Sequence, residues 1–179
     1  KQIGSRIFRE GDKVMQIRNN YSQGWIAQAV CTEIRLPMCE ARRMAYAVAG
    51  LVRDFHPEGY PGDEPIVPHG MSVVVNAPSV FRFTACACPD RHIAAAGWLG
   101  ADTRGAADED AGEVVAEQLV AMMKATGIPN GIGGVGYGRE DVPALAKGAW
   151  AQQRLLTNAP REITPQGLEG LYLGALKYW

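Results

Sequence analysis

The stretch DAGEVVAEQLVAMMKATGIP, Asp110 to Pro129, decides the fold class. Val115, Leu119, Met122 and Met123 fall on one face at helical spacing, which predicts an amphipathic helix over 110–126. Asp110 and Glu113 fit a capping box at its start, and Gly127 with Pro129 stop it. Working outward, the chain from His69 onward repeats this grammar. Gly70 to Ala87 reads as a buried helix kinked at Pro78, and a second helix spans Asp90 to about Leu99. Another covers Glu140 to about Leu156, with Pro143 in its first turn and Leu145, Ala149 and Trp150 facing the core. At the end Thr164 caps, Pro165 takes the first helical position and Ile163 staples to Leu168. Leu171, Tyr172 and Ala175 continue the stripe. The expected fold class is mainly α.

Between His56 and His69 the run HPEGYPGDEPIVPH holds Pro57, Pro61, Pro65 and Pro68 with Gly59 and Gly62, which excludes regular structure. A loop that enters a helix at His69 is a place from which a side chain can be aimed into a cleft.

Composition narrows the function classes. Lys plus Arg total 18 against 19 for Asp plus Glu, a net charge of −1, so no overall field recruits nucleic acid or an acidic membrane. No apolar run approaches the roughly 20 residues of a membrane span. The opening KQIGSRIFREGDK lacks the apolar core of a signal peptide, and the cytoplasm is the expected compartment. Cys31, Cys39, Cys86 and Cys88 match neither a zinc-finger pair nor a dense disulfide framework, so buried or free thiols are expected.

Several motifs invite chemical readings. GIGGVG places Gly131, Gly133 and Gly136 in dinucleotide-fingerprint spacing, but TGIPN, a helix stop, precedes it where a buried strand is required. A flexible interhelical loop is expected instead. His56 and His92 lack a second ligand-type residue at metal spacing and are expected at the surface. Cys86 and Cys88 offer two thiols with no further ligand at useful spacing, which favours packing over a soft-metal site.

The N-terminal piece differs in character. REGDKVMQIRNNY, Arg9 to Tyr21, combines a turn at Gly11 and Asp12 with a strand-like run from Val14 to Ile17. Residues 1–21 resemble a stretch of the C-terminal domain of the RecD and TraA class of DNA helicases. No phosphate-binding loop accompanies it, so helicase activity does not carry over. Residues 22–43 resemble neither family and read as a junction.

AGLVRDFHPEGYPGDEPIVPHGMSVVVNAPSVF, Ala49 to Phe81, resembles the hydroxyacid-oxoacid transhydrogenase subgroup of iron-dependent alcohol dehydrogenases. The likeness continues through PDRHIAAAGWLG and GIPNGIGGVGYGREDVPALAKGAW into NAPREITPQGLEGLY, so residues 44–179 are covered. It implies the C-terminal helical domain of such an enzyme, in partial form, behind a short β-like N-terminal extension. It also implies a divalent metal, iron or zinc, held by one Asp and three His, beside a nicotinamide cofactor. The metal polarises an oxygen while hydride passes. The implied reaction oxidises a hydroxy acid such as 4-hydroxybutyrate and reduces an oxo acid such as 2-oxoglutarate.

By this resemblance the PHG histidine, His69, is a metal ligand. ARRMAYAVAG aligns with a family element that places Arg42 where a second ligand histidine belongs. A guanidinium has no lone pair for a metal and keeps its charge. The remaining ligands and the nucleotide-binding domain correspond to nothing in this sequence, so this chain is expected to be inactive alone and to bind neither group. Bare apolar faces and marginal stability are expected to follow. Three readings stand: a truncated oxidoreductase, a non-catalytic chimeric or frame-shifted remnant, and a nucleic-acid-binding module from the helicase piece.

Overall fold

The computed structural model describes residues 2–3, 6–7, 38–152 and 160–179. Two compact units divide the chain, residues 1–34 and 35–179. In the first, β1 (Gln2–Ile3) pairs antiparallel with β2 (Arg6–Ile7), with Gln2 opposite Ile7. The expected strand at Val14 to Ile17 lies outside the described residues.

The second unit is helical: α1 (Met38–Gly50), α2 (His69–Val74), α3 (Ala77–Thr84), α4 (Pro89–Trp98), α5 (Ala111–Thr126), α6 (Val142–Trp150) and α7 (Pro165–Ala175). The unit begins at Arg35, so α1 runs across the proposed boundary at residue 44. Helix α1 packs on α2 and α6 and touches α3. Its Ala41, Met44, Ala45 and Val48 recur at i, i+3, i+4 and i+7 and are fully buried. The bare apolar face expected from Met44 onward is therefore absent on α1. The Tyr172 hydroxyl donates to the Met44 carbonyl at 3.0 Å, and the Tyr137 hydroxyl donates to that of Val48 at 2.6 Å. These bonds tie α1 to α7 and to the glycine-rich loop.

The expected kinked helix resolves into two. α2 stops at Val74, and α3 restarts with Pro78 in its first turn, where the missing N–H removes no intrahelical bond. Helix α3 crosses α5 closely at Gly112, where an added Cβ would lie 3.0 Å from Ala85 Cβ and 3.1 Å from Arg82 Cα. A second small core forms there from Ala77, Phe81, Ala96 and Val115.

Helix α5 ends as expected, with Gly127 at φ 71°. Its start differs. Asp110 makes no capping hydrogen bond, because a 3₁₀ turn over Asp108–Asp110 feeds the helix, and Glu113 instead pairs with Arg82 at 2.6 Å. Met122, expected on the core face, is exposed, since the buried stripe runs through Ala111, Val115, Ala116 and Met123. Helix α6 ends at Trp150, before the expected Leu156, and residues 153–159 lie outside the described set. The last helix matches expectation: Thr164 Oγ1 accepts from the Gly167 amide at 3.0 Å, and Ile163 and Leu168 are both buried.

The glycine-rich segment is not a flexible loop. Ile132 N donates to Ala175 O at 2.8 Å and Gly133 N to Leu176 O at 3.0 Å, so its amides satisfy carbonyls at the end of α7. Gly131 sits at φ 65°, with space for no Cβ beneath Ala175 O and Leu176 O. That contact leaves no amide of Ile132 or Gly133 for a phosphate.

Candidate functional site

His69 opens α2, delivered by the proline-rich loop as the sequence implied, and its side chain is exposed. The loop is pinned where it returns, Ile66 N donating to Phe55 O at 2.7 Å. Ser72 Oγ donates to the His69 carbonyl at 2.8 Å and closes the first turn. The imidazole faces α1, its centroid 5.7 Å from the ring of Tyr46 with the planes tilted by 40°. Arg42 stands one turn before Tyr46, at i−4, and is exposed like it. Positions 42 and 69 thus belong to one surface, formed by the outer face of α1 and the entry to α2.

That surface does not supply a coordination shell. Among the described residues no three His, Cys, Asp or Glu side chains come together as metal ligands. Arg42 adds a fixed positive charge to this surface. Among the described residues His69 is therefore a single imidazole on this surface, and they do not fit a divalent ion there.

The other histidines depart from expectation in different degrees. His92, expected at the surface, is fully buried. Its Nδ1 lies 2.9 Å from the Cys88 carbonyl and its Nε2 lies 3.1 Å from Thr84 Oγ1, while its ring meets Phe81 edge-on at 5.5 Å. A carbonyl only accepts, which assigns the proton to Nδ1. Burial holds the imidazole below its usual value, so it is neutral and structural. His56 is half-buried, against the edge of Tyr60 at 6.2 Å, and its Nε2 has no hydrogen-bond partner.

Cys86 and Cys88, expected to pack, do so only in part: Cys86 is exposed and Cys88 half-buried, and both thiols are free. Burial pushes the Cys88 thiol up. A cleft of about 360 Å³ lies between Arg53–Phe55 and Gly133–Tyr137. Its polar groups are already committed: Arg53 forks onto Asp141 at 2.8 and 3.0 Å, and the Gly138 amide and Arg53 together hold the Asp141 carboxyl below its usual range. Burial pushes Tyr137 up to about 12.

Sequence reasoning missed the pair Glu40 and Arg43 on α1. Both are fully buried. Arg43 Nε donates to Ala149 O at 3.3 Å and its guanidinium lies 5.7 Å from the Trp150 centroid, but both Nη atoms lack partners. Both Glu40 carboxylate oxygens also lack partners, and burial pushes that carboxyl up to about 7. The available signal was spacing, since 40, 43, 44 and 47 lie on one helical stripe.

This packing of helices, with a histidine at a loop-to-helix entry, is a helical domain whose fold recurs in solved structures. It has the fold of part of a 1,3-propanediol oxidoreductase, with TM-score 0.60 and 24% identity over 76% of this chain and 32% of that one. It also has the fold of part of an alcohol dehydrogenase from Oenococcus oeni, with TM-score 0.62 and 23% identity over 75% and 32%. The profile of the Fe-containing alcohol dehydrogenase family, C-terminal, matches residues 60–176. Mitochondrial hydroxyacid-oxoacid transhydrogenase of Xenopus tropicalis is 41% identical over 136 residues, 76% of this chain and 29% of that protein. A probable mitochondrial hydroxyacid-oxoacid transhydrogenase of Dictyostelium discoideum is 39% identical over 130 residues, 72% and 24% respectively. The chain belongs to the Fe-containing alcohol dehydrogenase family, in its hydroxyacid-oxoacid transhydrogenase branch. It spans under a third of the length of these relatives.

Proposed function

We propose that this chain is the helical, metal-domain portion of an oxidoreductase that moves hydride from a hydroxy acid such as 4-hydroxybutyrate to an oxo acid such as 2-oxoglutarate. We further propose that the chain is inactive by itself. On this reading His69 is the one family metal donor among the described residues, and the other donors, with the nicotinamide site, come from outside them. The observation that supports this reading is the shared surface of positions 42 and 69, where the family resemblance expects a second donor and the sequence has a cation. Metal analysis of the purified chain, with nicotinamide reduction by 4-hydroxybutyrate, tests it. The expected result is no stoichiometric iron or zinc and no turnover. One tightly held metal per chain would overturn it.

A second reading, a chimeric or frame-shifted remnant with residues 1–21 from a helicase and 22–43 as the junction, is favoured by Glu40 and Arg43. The Glu40 carboxylate oxygens and the Arg43 Nη atoms are buried without hydrogen-bond partners, and a helix selected for this core would offset the several kcal/mol of desolvation that this costs. Sequencing the locus across codons 20 to 45 tests it, and a spliced full-length product removes it. Nucleic-acid binding by the helicase-like piece is the weakest alternative. Salt-independent or absent binding of single-stranded DNA excludes it.

No helix among the described residues is long and apolar enough to cross a membrane. We assign the chain to the cytoplasm, and the free thiols at Cys86 and Cys88 fit a reducing compartment of this kind. The mitochondrial address belongs to the names of the relatives.

A further inference from the structure

Cys86 and Cys88 take no part in the proposed reaction, yet their surroundings are not those of inert packing thiols. Cys86 occupies the 3₁₀ turn Ala85–Ala87 and is exposed. A guanidinium nitrogen of Arg161 lies 3.5 Å from its sulfur. Arg161 is itself held in place, donating to the Phe83 carbonyl at 3.0 Å and resting 4.2 Å from the centroid of the Phe83 ring. A cation fixed in this way offers an N–H to negative charge as it develops on the sulfur.

Cys88 follows two residues later, half-buried, at the entry to α4. Its backbone leaves the helical region, at φ −160° and ψ 66°. Two residues apart, the Cα atoms of Cys86 and Cys88 lie at most about 7 Å from each other, near the upper end of the bridging range of about 4.4–6.8 Å, so the bridge forms when the two side chains turn toward one another across Ala87. His92 Nδ1, whose proton goes to the Cys88 carbonyl, stands 3.6 Å from the Cys88 sulfur.

We propose that Cys86 and Cys88 form a hydroperoxide-responsive thiol pair, in which Cys86 is the first sulfur oxidised and Cys88 the resolving thiol. The Cys86 thiol loses its proton to solvent, and its sulfur attacks one peroxide oxygen as the O–O bond breaks. The departing hydroxide takes a proton and leaves as water, and Cys86 becomes a sulfenic acid. The Cys88 sulfur then attacks that sulfur. The S–S bond forms, the S–O bond breaks, and hydroxide leaves with the Cys88 proton as a second water. Two thiols lose two electrons and two protons, and the peroxide gains them. Arg161 steadies the first step, and desolvation keeps Cys88 protonated until the second.

The test uses the full chain, reduced, then treated with one equivalent of hydrogen peroxide and digested with trypsin. Cleavage after Arg82 and Arg91 isolates Phe83–Arg91, which holds these two cysteines and no other. The expected product is that peptide lighter by two hydrogens. Cys88→Ser should accumulate a sulfenic acid at Cys86 that dimedone traps. Arg161→Ala should slow oxidation about tenfold, the worth of one charge-assisted hydrogen bond, with Arg161→Lys intermediate. In urea the wild-type rate should fall to that of Arg161→Ala, which separates a folded-state effect from simple proximity. The proposal is overturned if the peptide keeps both thiols, if dimedone marks Cys88 first, or if the rate ignores both Arg161 and urea.

Discussion

The imidazole of His69 and the phenol ring of Tyr46 lie 5.7 Å apart, joining the entry of α2 to the outer face of α1. Arg42 precedes Tyr46 by one helical turn, so a histidine at position 42 would share that face with His69. Two imidazoles hold a divalent ion better than one, and exchanging a guanidinium for imidazole also removes a repelling charge. Arg42→His should raise affinity for cobalt(II) by at least about tenfold, read by titration against visible absorption. Equal affinity in the two proteins would separate position 42 from the metal surface and break the residue-by-residue argument.

Glu40 gives the chain a pH dependence whose sign follows from burial. Its folded value of about 7 lies above the ordinary 4.5, so between these values the folded state binds more protons than the unfolded one. Its contribution to stability is whole below about pH 4.5 and is lost as pH rises through 7. Arg43 attracts the carboxylate, but desolvation outweighs that attraction, and no hydrogen bond joins the two. The stability difference between wild type and Glu40→Gln should favour the variant increasingly from pH 5 to pH 8, reaching roughly 3 kcal/mol by urea denaturation. A difference independent of pH would mean that the carboxyl reaches solvent. Asp141 and Glu113, held low by their partners, act in the opposite sense and set the acid limb in both proteins.

Much of this helical framework was legible because the signals were local. Thr164, Pro165, Ile163 and Leu168 specify the start of α7 within six residues, and Gly127 with Pro129 marks the end of α5. His92 was misread because its burial depends on Phe81 and Thr84, which another helix brings to it. Glu113 was misread for a related reason: Arg82 competes for it across the α3–α5 crossing and wins with two charged bonds over one cap. Of the candidate site, His69 was reached through family likeness, since composition and spacing alone leave it an ordinary surface histidine. The Glu40 and Arg43 pair escaped because charged residues on a stripe read as solvent-facing until the packed neighbours are known.

Gly131 combines a positive φ with a tightly occupied Cβ position. Its φ of 65° disfavours a side chain, and a Cβ would collide with the Ala175 carbonyl that Ile132 N bonds. Gly131→Ala should therefore lower stability by about 2–4 kcal/mol, combining left-handed strain with overpacking at the end of α7. Gly59, also at positive φ but with open space around it, should lose only the strain, about 1 kcal/mol on replacement by Ala. Equal losses at the two positions, measured by urea unfolding, would show that the glycine-rich segment does not grip α7.

Thr164→Ala tests the last helix by itself. The hydroxyl accepts one bond, from Gly167 N at 3.0 Å, and its loss leaves an amide to water at an exposed helix start. A cost of about 1 kcal/mol follows from comparable caps. Thr164→Ser keeps the oxygen and should cost under half of that. Because α7 supplies Leu168, Leu171 and Tyr172 to the main core, this loss should appear in the global unfolding transition and not as local fraying. Amide exchange at Leu171 and Tyr172 distinguishes these outcomes. If exchange there quickens while the global midpoint holds, α7 opens independently, and the bond from Tyr172 to the Met44 carbonyl does not couple it to α1.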